Sequence, residues 1–245
     1  MVRKVKFAAI KHFGKKNLKV GHTGTLDPLA TGVLLVCIGP ATRRAQELQD
    51  HDKEYLAGIS FGATTPSYDL EKEVDRTFPT DGVTPDAIRE ALVGLTGTYE
   101  QIAPLFSAKS VDGVRAYEMA RKMYRHRDGV DFDAAAVEIL HRSLVTVHSA
   151  CLESFSPNGA PPRPPAPETV ASARIHVADT SALHLPHADI RIACSKGTYI
   201  RAFARDLGEA LGTGAHLDAL CRTRSGDYRV EDALSLQDAL NLFHW

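Results

Sequence analysis

The order of apolar and polar positions divides the chain into short alternating runs and longer amphipathic ones. Residues 33–38, 55–61, 144–155, 173–178 and 190–194 read as strands. The last is the clearest. Ile190, Ile192 and Cys194 alternate with Arg191 and Ala193, and a strand sends successive side chains to opposite faces. Other segments carry the helical period. Between 199 and 211, Ile200, Phe203, Ala204, Leu207 and Leu211 fall on one face, and Gly212 and Gly214 end the run. Thr84 before Pro85 supplies a cap and a first-turn proline for a second helix, which gathers Ile88, Ala91 and Leu92. Residues 115–123 predict a third. Strands and helices are interspersed without strict alternation, which favours an α+β fold over a doubly wound sheet. Residues 157–168 hold six of the thirteen prolines and read as an exposed insertion.

Composition narrows the class. The chain has 245 residues, 44% of them hydrophobic, enough for a sizeable core in one domain spanning 1–245. No apolar run approaches the ~20 residues of a membrane span. The basic start is followed by no apolar stretch of the kind a secretory signal carries, so a cytoplasmic protein is expected. Cys37, Cys151, Cys194 and Cys221 are scattered among apolar residues and read as reduced, buried thiols. His184 and His187 flank Leu-Pro and read as a loop, not as a metal-binding face. No metal or cofactor is expected.

A net charge of −1 is uninformative, but its distribution is not. Arg3, Lys4, Lys6, Lys11, Lys15, Lys16 and Lys19 precede the first acid, Asp27. Acids crowd 69–100, and further basic groups include Lys109, Arg115, Arg121, Lys196, Arg201 and Arg205. A protein that binds a polyanion on one face shows such asymmetry, although solvated helix faces produce the same pattern. Lys15, Lys16, Lys19, Arg121 and Arg205 are the candidates for phosphate contacts.

The densest segment is 21–32, with three glycines and a proline in twelve residues, directly before an apolar run. Such a loop can hold a polar side chain rigidly in a cleft. It has neither the Gly-Lys-Ser/Thr of a nucleotide-binding loop nor G-x-G-x-x-G, which argues against phosphate cradling. Asp27 is the only acid in the first forty-six residues. From the residues alone it is a nucleophile, a general base or a turn former. Arg201 falls in the first turn of its helix, the unfavourable end for a cation, and a bidentate carboxylate would offset that cost. A surface arginine bound to phosphate is the alternative.

The stretch Lys19-Val-Gly-His-Thr-Gly-Thr-Leu-Asp-Pro-Leu-Ala-Thr-Gly-Val-Leu, ending in Gly39-Pro-Ala-Thr-Arg, closely resembles the catalytic motif of TruB-type tRNA pseudouridine synthases. Asp52-Lys-Glu-Tyr55 resembles the family's tyrosine motif. Gln101-Ile-Ala-Pro-Leu-Phe-Ser-Ala, with Gly113-Val-Arg-Ala-Tyr-Glu-Met-Ala-Arg121, resembles its central motif. Cys194-Ser-Lys-Gly-Thr-Tyr-Ile-Arg201, followed by Asp206-Leu-Gly, Gly214-Ala-His and Leu220-Cys-Arg-Thr, resembles its C-terminal motif.

The resemblance implies a mixed, mainly antiparallel central sheet flanked by helices and loops. It implies isomerisation of a flipped-out uridine in the T-loop of tRNA, by a monomer that requires no protein partner. It makes Asp27 the nucleophile and the partner of Arg201. Tyr55 would stack on the uracil, Tyr199 and Leu220 would wall the pocket, and His22 would stack where bases have left the RNA loop. Without the family these four are an ordinary strand aromatic, two core residues and a loop-bonding histidine.

The chain departs from the family pattern in four places. It opens inside what resembles the helix after the usual opening strand. Ala103 replaces the first of two prolines, and Ser110 stands where lysine is usual. The chain ends at Trp245, where the family's C-terminal RNA-binding domain is expected to be missing. A non-catalytic RNA-binding module on the same fold and the catalytic subunit of a guide-RNA particle are the competing functions.

Overall fold

The computed structural model describes residues 1–107, 109–111, 113–125, 131–140, 142–160 and 177–243. The chain opens with helix α1 (Val2–Phe13), then strands β1 (Val20–His22), β2 (Thr31–Gly32) and β3 (Val36–Ile38), and helix α2 (Ala45–Asp50). Strand β4 (Lys53–Phe61) leads to the small pair β5 (Ala63–Thr64) and β6 (Arg76–Thr77), then to helix α3 (Pro85–Gly94) and strand β7 (Gly97–Gln101). A helical excursion follows: β8 (Ser110–Val111), β9 (Val114–Arg115), α4 (Ala116–Arg125) and α5 (Phe132–Ile139). The last part comprises β10 (Ser143–Ser156), β11 (His187–Cys194), α6 (Ile200–Ala210), β12 (Ala215–Ser225), β13 (Tyr228–Arg229) and α7 (Leu236–Asn241).

The main sheet has the order β13-β12-β4-β11-β10-β7, and each neighbouring pair is antiparallel. Strand β2 joins it as a two-residue parallel partner of β12. Alternation makes the two faces unlike. One carries Ala57, Ile59 and Phe61 of β4 with Ile190 and Ile192 of β11, and these pack against Ile88 and Leu92 of α3 and Phe203 and Leu207 of α6. Each large side chain buried there stabilises the fold by roughly 1.5–3 kcal/mol. The other face is polar, with Arg191 bridging Glu54 and Glu153. An antiparallel sheet can be covered on one side in this way.

A second apolar cluster joins Leu105 and Phe106 to Ala116, Ala120, Phe132, Ala136 and Leu140, with Tyr199 packed against it. The excursion between β7 and β10 is thereby seated on the start of α6.

Strands at 55–61, 144–155 and 190–194 are present, each slightly longer than predicted. Helix α3 starts at Pro85, and the Thr84 hydroxyl accepts from the Ala87 amide at 3.2 Å. The predicted strand at 33–38 shrinks to Val36–Ile38, because the Val33 amide bonds the Arg222 carbonyl instead. Strand β12, next to β4, was not predicted. It carries Asp218, Arg222, Thr223 and Arg224, and irregularities at 217/219 and 222/224 break its alternation. Residues 173–176 of one predicted strand, and 161–168 of the proline-rich segment, lie outside the described residues.

Two further expectations need correction. Cys151 is exposed, since β10 turns it to the polar face opposite Arg191. Cys194 is buried, and burial pushes its thiol up to about 11. His187 is not in a loop. It opens β11, fully buried, with Nδ1 at 2.7 Å from Asp218.

Candidate active site

Arg201 is a cation at the positive end of a helix and is 4% exposed, so it requires nearby acceptors. Nε donates to Asp27 Oδ2 at 2.9 Å and Nη2 to Asp27 Oδ1 at 3.0 Å, a two-bond fork across 174 positions of chain. Nη1 donates to the Ser67 carbonyl and Nη2 to the Phe106 carbonyl, both at 3.1 Å. Asp69 stands 3.6 Å away. Burial works against the guanidinium charge, but Asp27 and Asp69 outweigh it and hold its pKa above the ordinary arginine value.

The Asp27 loop is fixed at its ends. Strands β1 and β3 bracket it as a hairpin, from Val20 opposite Ile38 to His22 opposite Val36. Inside it the Ala30 amide turns back to the Asp27 carbonyl at 3.0 Å. The Thr31 hydroxyl reaches the Leu220 carbonyl at 3.4 Å, and the Val33 amide reaches that of Arg222 at 2.9 Å. The Asp27 side chain keeps 35% of its surface exposed although Arg201 beneath it is buried. It therefore offers a fixed carboxylate to whatever enters from solvent.

Asp69 is the site residue that sequence reasoning missed. It accepts from the Ser67 hydroxyl at 2.6 Å and from the Glu71 amide at 2.9 Å. Tyr68 beside it adopts φ +57, a left-handed conformation that a tyrosine seldom takes. Burial pushes the Asp69 carboxyl above its usual range, and Arg201 opposes that rise. A polar Thr-Thr-Pro-Ser-Tyr-Asp turn directly after an apolar strand was the available signal.

Asp27, Asp69 and Arg201 form the polar floor of a cleft enclosing about 260 Å³, open to solvent, with Leu29, Ala30, Leu217 and Leu220 among its apolar walls. An apolar slot with a few convergent polar groups suits a flat ring with polar edges. Leu220 thus lies at the cleft. Tyr55 is half-buried on the same sheet face as the α6 contacts, directly opposite Arg222. Burial pushes its hydroxyl up, and Arg222 pulls it back. Tyr199 caps α6. Its amide donates to Gln101 Oε1 at 2.8 Å, and Gln101 Nε2 returns a bond to its carbonyl at 3.2 Å. His22 is exposed on the last residue of β1, where the loop begins.

The phosphate candidates divide. Lys15, Lys16 and Lys19 are exposed, and Lys16 and Lys19 share an open groove with Lys6, Asn17 and Thr42 that runs up to Gly21. Arg121 is exposed and lies over the Tyr117 ring at 5.3 Å. Arg205 does not belong with them. Its side chain is 11% exposed, bound to Asp206 at 2.5 Å and to the Ile102 carbonyl at 3.3 Å, and it covers the Tyr68 ring. Its place one turn below Arg201 turns it inward. Among the described residues, no group of three or more His, Cys, Asp or Glu side chains is set to hold a metal ion. No helix among them is long and apolar enough to cross a membrane.

The chain matches the TruB family pseudouridylate synthase (N terminal domain) over residues 11–154. The chain belongs to the TruB family. It is 46% identical over 237 residues to the tRNA pseudouridine synthase B of Phocaeicola vulgatus, which covers 97% of this chain and 84% of that one. The protein of the same name from Deinococcus radiodurans is 39% identical over 223 residues, covering 90% and 69%. Residues 201–245 match the tRNA pseudouridylate synthase B C-terminal domain. That match begins inside α6 and includes β12, so both matched regions of this TruB member contribute to one sheet.

Two solved structures share its fold. A chain of an H/ACA RNP bound to a substrate RNA containing 2'-deoxyuridine superposes with a TM-score of 0.58 at 21% identity, covering 99% of this chain and 49% of that one. A chain of a Cbf5-Nop10-Gar1 complex gives 0.57 at 23%, covering 98% and 50%. The chain spans about half the length of these solved chains.

Proposed function

We propose that this TruB family member isomerises a uridine in the T-loop of tRNA to pseudouridine, with Asp27 as the nucleophile. The observation that supports it is the Arg201 fork on a part-exposed Asp27, at the floor of a cleft with apolar walls. The reaction breaks the N1–C1′ bond of the nucleoside, turns the base, and joins C5 to C1′. The C5 proton leaves and N1 gains one, so no atom is added and no electron is exchanged overall. No cofactor or metal is required for that balance.

Arg201 aims the Asp27 carboxylate through its two-bond fork. The carboxylate attacks either uracil C6 or ribose C1′, and both routes use the same floor. Tyr55 stacks on the base and assists proton transfer at C5. Tyr199 and Leu220 wall the pocket, and His22 fills part of the stack that the flipped base leaves. Lys15, Lys16, Lys19 and Arg121 meet phosphates. The chain acts as a monomer on free tRNA in the cytoplasm, as one catalytic body over 1–245. The 46% identity to a tRNA pseudouridine synthase B favours this reading over a guide-RNA particle.

The test is tritium release from C5-labelled uridine in a T-arm stem-loop, with no guide RNA. Turnover is expected from the parent, and Asp27→Asn should abolish it while leaving RNA binding nearly unchanged. Residual activity within about tenfold of the parent would remove Asp27 from the nucleophile role.

A further inference from the structure

Arg222 takes no part in the reaction as described, yet packing alone does not account for its surroundings. It is 3% exposed. Among the described residues, no carboxylate stands within ion-pair distance of it. A buried cation without a counter-charge is costly. Its partners are backbone carbonyls: Nε donates to that of Val33 at 2.7 Å, and Nη2 points to that of Gly24 at 3.4 Å. Those two carbonyls flank Asp27 in the chain, one on each shoulder of its loop.

The Arg222 backbone grips the same loop. Its carbonyl accepts the Val33 amide, and Cys221–Arg222 pairs in parallel with Thr31–Gly32. Gly32 sits at φ +102, and a Cβ there would lie 2.2 Å from the Arg222 carbonyl oxygen, so only glycine allows this approach. Across the sheet, Arg222 is the direct antiparallel partner of Tyr55. Residues so paired project from the same face, which sets the guanidinium beside the tyrosine ring.

We propose that Arg222 is a positioning residue, which grips both shoulders of the Asp27 loop from the position opposite Tyr55 and so fixes the separation of nucleophile and stacking ring. The inference rests on the roles given to Asp27 and Tyr55 above. Burial raises the Tyr55 hydroxyl and Arg222 is the largest opposing influence, which is consistent with their proximity.

The test is steady-state turnover on the T-arm stem-loop, with kcat and KM separated and melting temperature measured beside them. Arg222→Gln should lose about 100-fold in kcat with KM within about twofold of the parent, because the loop shifts while the RNA contacts remain. Arg222→Lys should lose about tenfold, since it keeps the charge and one donor but not the fork. Added guanidinium ion should restore part of the kcat of Arg222→Ala. Parent-like kcat in both Arg222→Lys and Arg222→Gln would overturn the proposal. So would a loss that follows melting temperature alone and that guanidinium does not relieve. If Arg222→Ala fails to fold, the Arg222→Lys split of kcat from KM carries the test. Failure of the underlying reading is separable, because Asp27→Asn would then keep its turnover whatever the Arg222 variants do.

Discussion

Successive turns of α6 carry two arginines, one buried and one largely buried, with opposite relations to solvent. Arg201 spends its fork on Asp27, a carboxylate 174 residues away in sequence that keeps a face open to the cleft. Arg205 spends its charge on neighbours of its own helix, Asp206 at 2.5 Å and Glu209 at 3.8 Å, and on the Tyr68 ring, and none of these lines the cleft. Residue type and helix are shared and both side chains are mostly covered; what differs most is the partner. A buried arginine becomes part of a site when the carboxylate it holds is reachable, and remains a structural rivet when its partner is local and covered.

The largest effect should separate the two turns. Arg201→Lys is expected to lower kcat by about 100-fold or more, because an ammonium cannot reproduce the planar two-bond grip on Asp27. Arg205→Lys should leave kcat within about threefold and instead cost roughly 1–2 kcal/mol of stability in chemical denaturation. Similar kcat losses at both positions would erase the distinction.

Salt dependence sharpens it further. An arginine on phosphate contributes about one unit to the slope of log affinity against log salt. Arg205→Ala should leave that slope unchanged, whereas Lys16→Ala and Lys19→Ala should each flatten it by about one unit in RNA-binding titrations. A flattened slope for Arg205→Ala, or none for the lysines, would return Arg205 to the RNA surface.

The smallest effect concerns a buried base bonded to a backbone carbonyl. His216 Nδ1 donates to the Ala63 carbonyl at 2.9 Å, and burial holds its pKa below the ordinary 6.5. As pH falls, the unfolded chain takes up this proton before the folded chain does. Its contribution is therefore complete above 6.5 and is lost as pH falls from there through the folded value. Melting temperature measured from about pH 7 to about pH 5 should decline less steeply in His216→Asn than in the parent. Parallel declines would mean that His216 does not titrate on unfolding.

The sequence exposed those parts of this architecture that local pattern specifies. The apolar face of α6 and the alternation of β11 are written in consecutive residues, and both elements are where periodicity puts them. The Asp27 motif is contiguous, so a resemblance could mark it. Strand β12 was hidden because two irregularities and six polar residues mask its period. Asp69 was hidden because its significance comes from a turn that reaches Arg201 from far along the chain. For Arg205, charge and position on a helix do not say which way a side chain faces; its carboxylate neighbour, Asp206, was visible but could equally have been exposed.

The joining of β2 to β12 has a consequence for biosynthesis. Asp27 leaves the ribosome early, but the arginine it binds follows 174 residues later, and Leu220 on the strand its loop leans on follows Thr31 by 189 residues. Protein chains emerge N-terminus first, so the loop is made long before anything exists to hold it. Through most of translation the nascent chain carries Asp27 without the Arg201 fork that fixes it. The Asp27 loop gains its full set of supports only near the end, when β12 pairs with β4 and β2, and a chain released short of that strand would carry Asp27 without them.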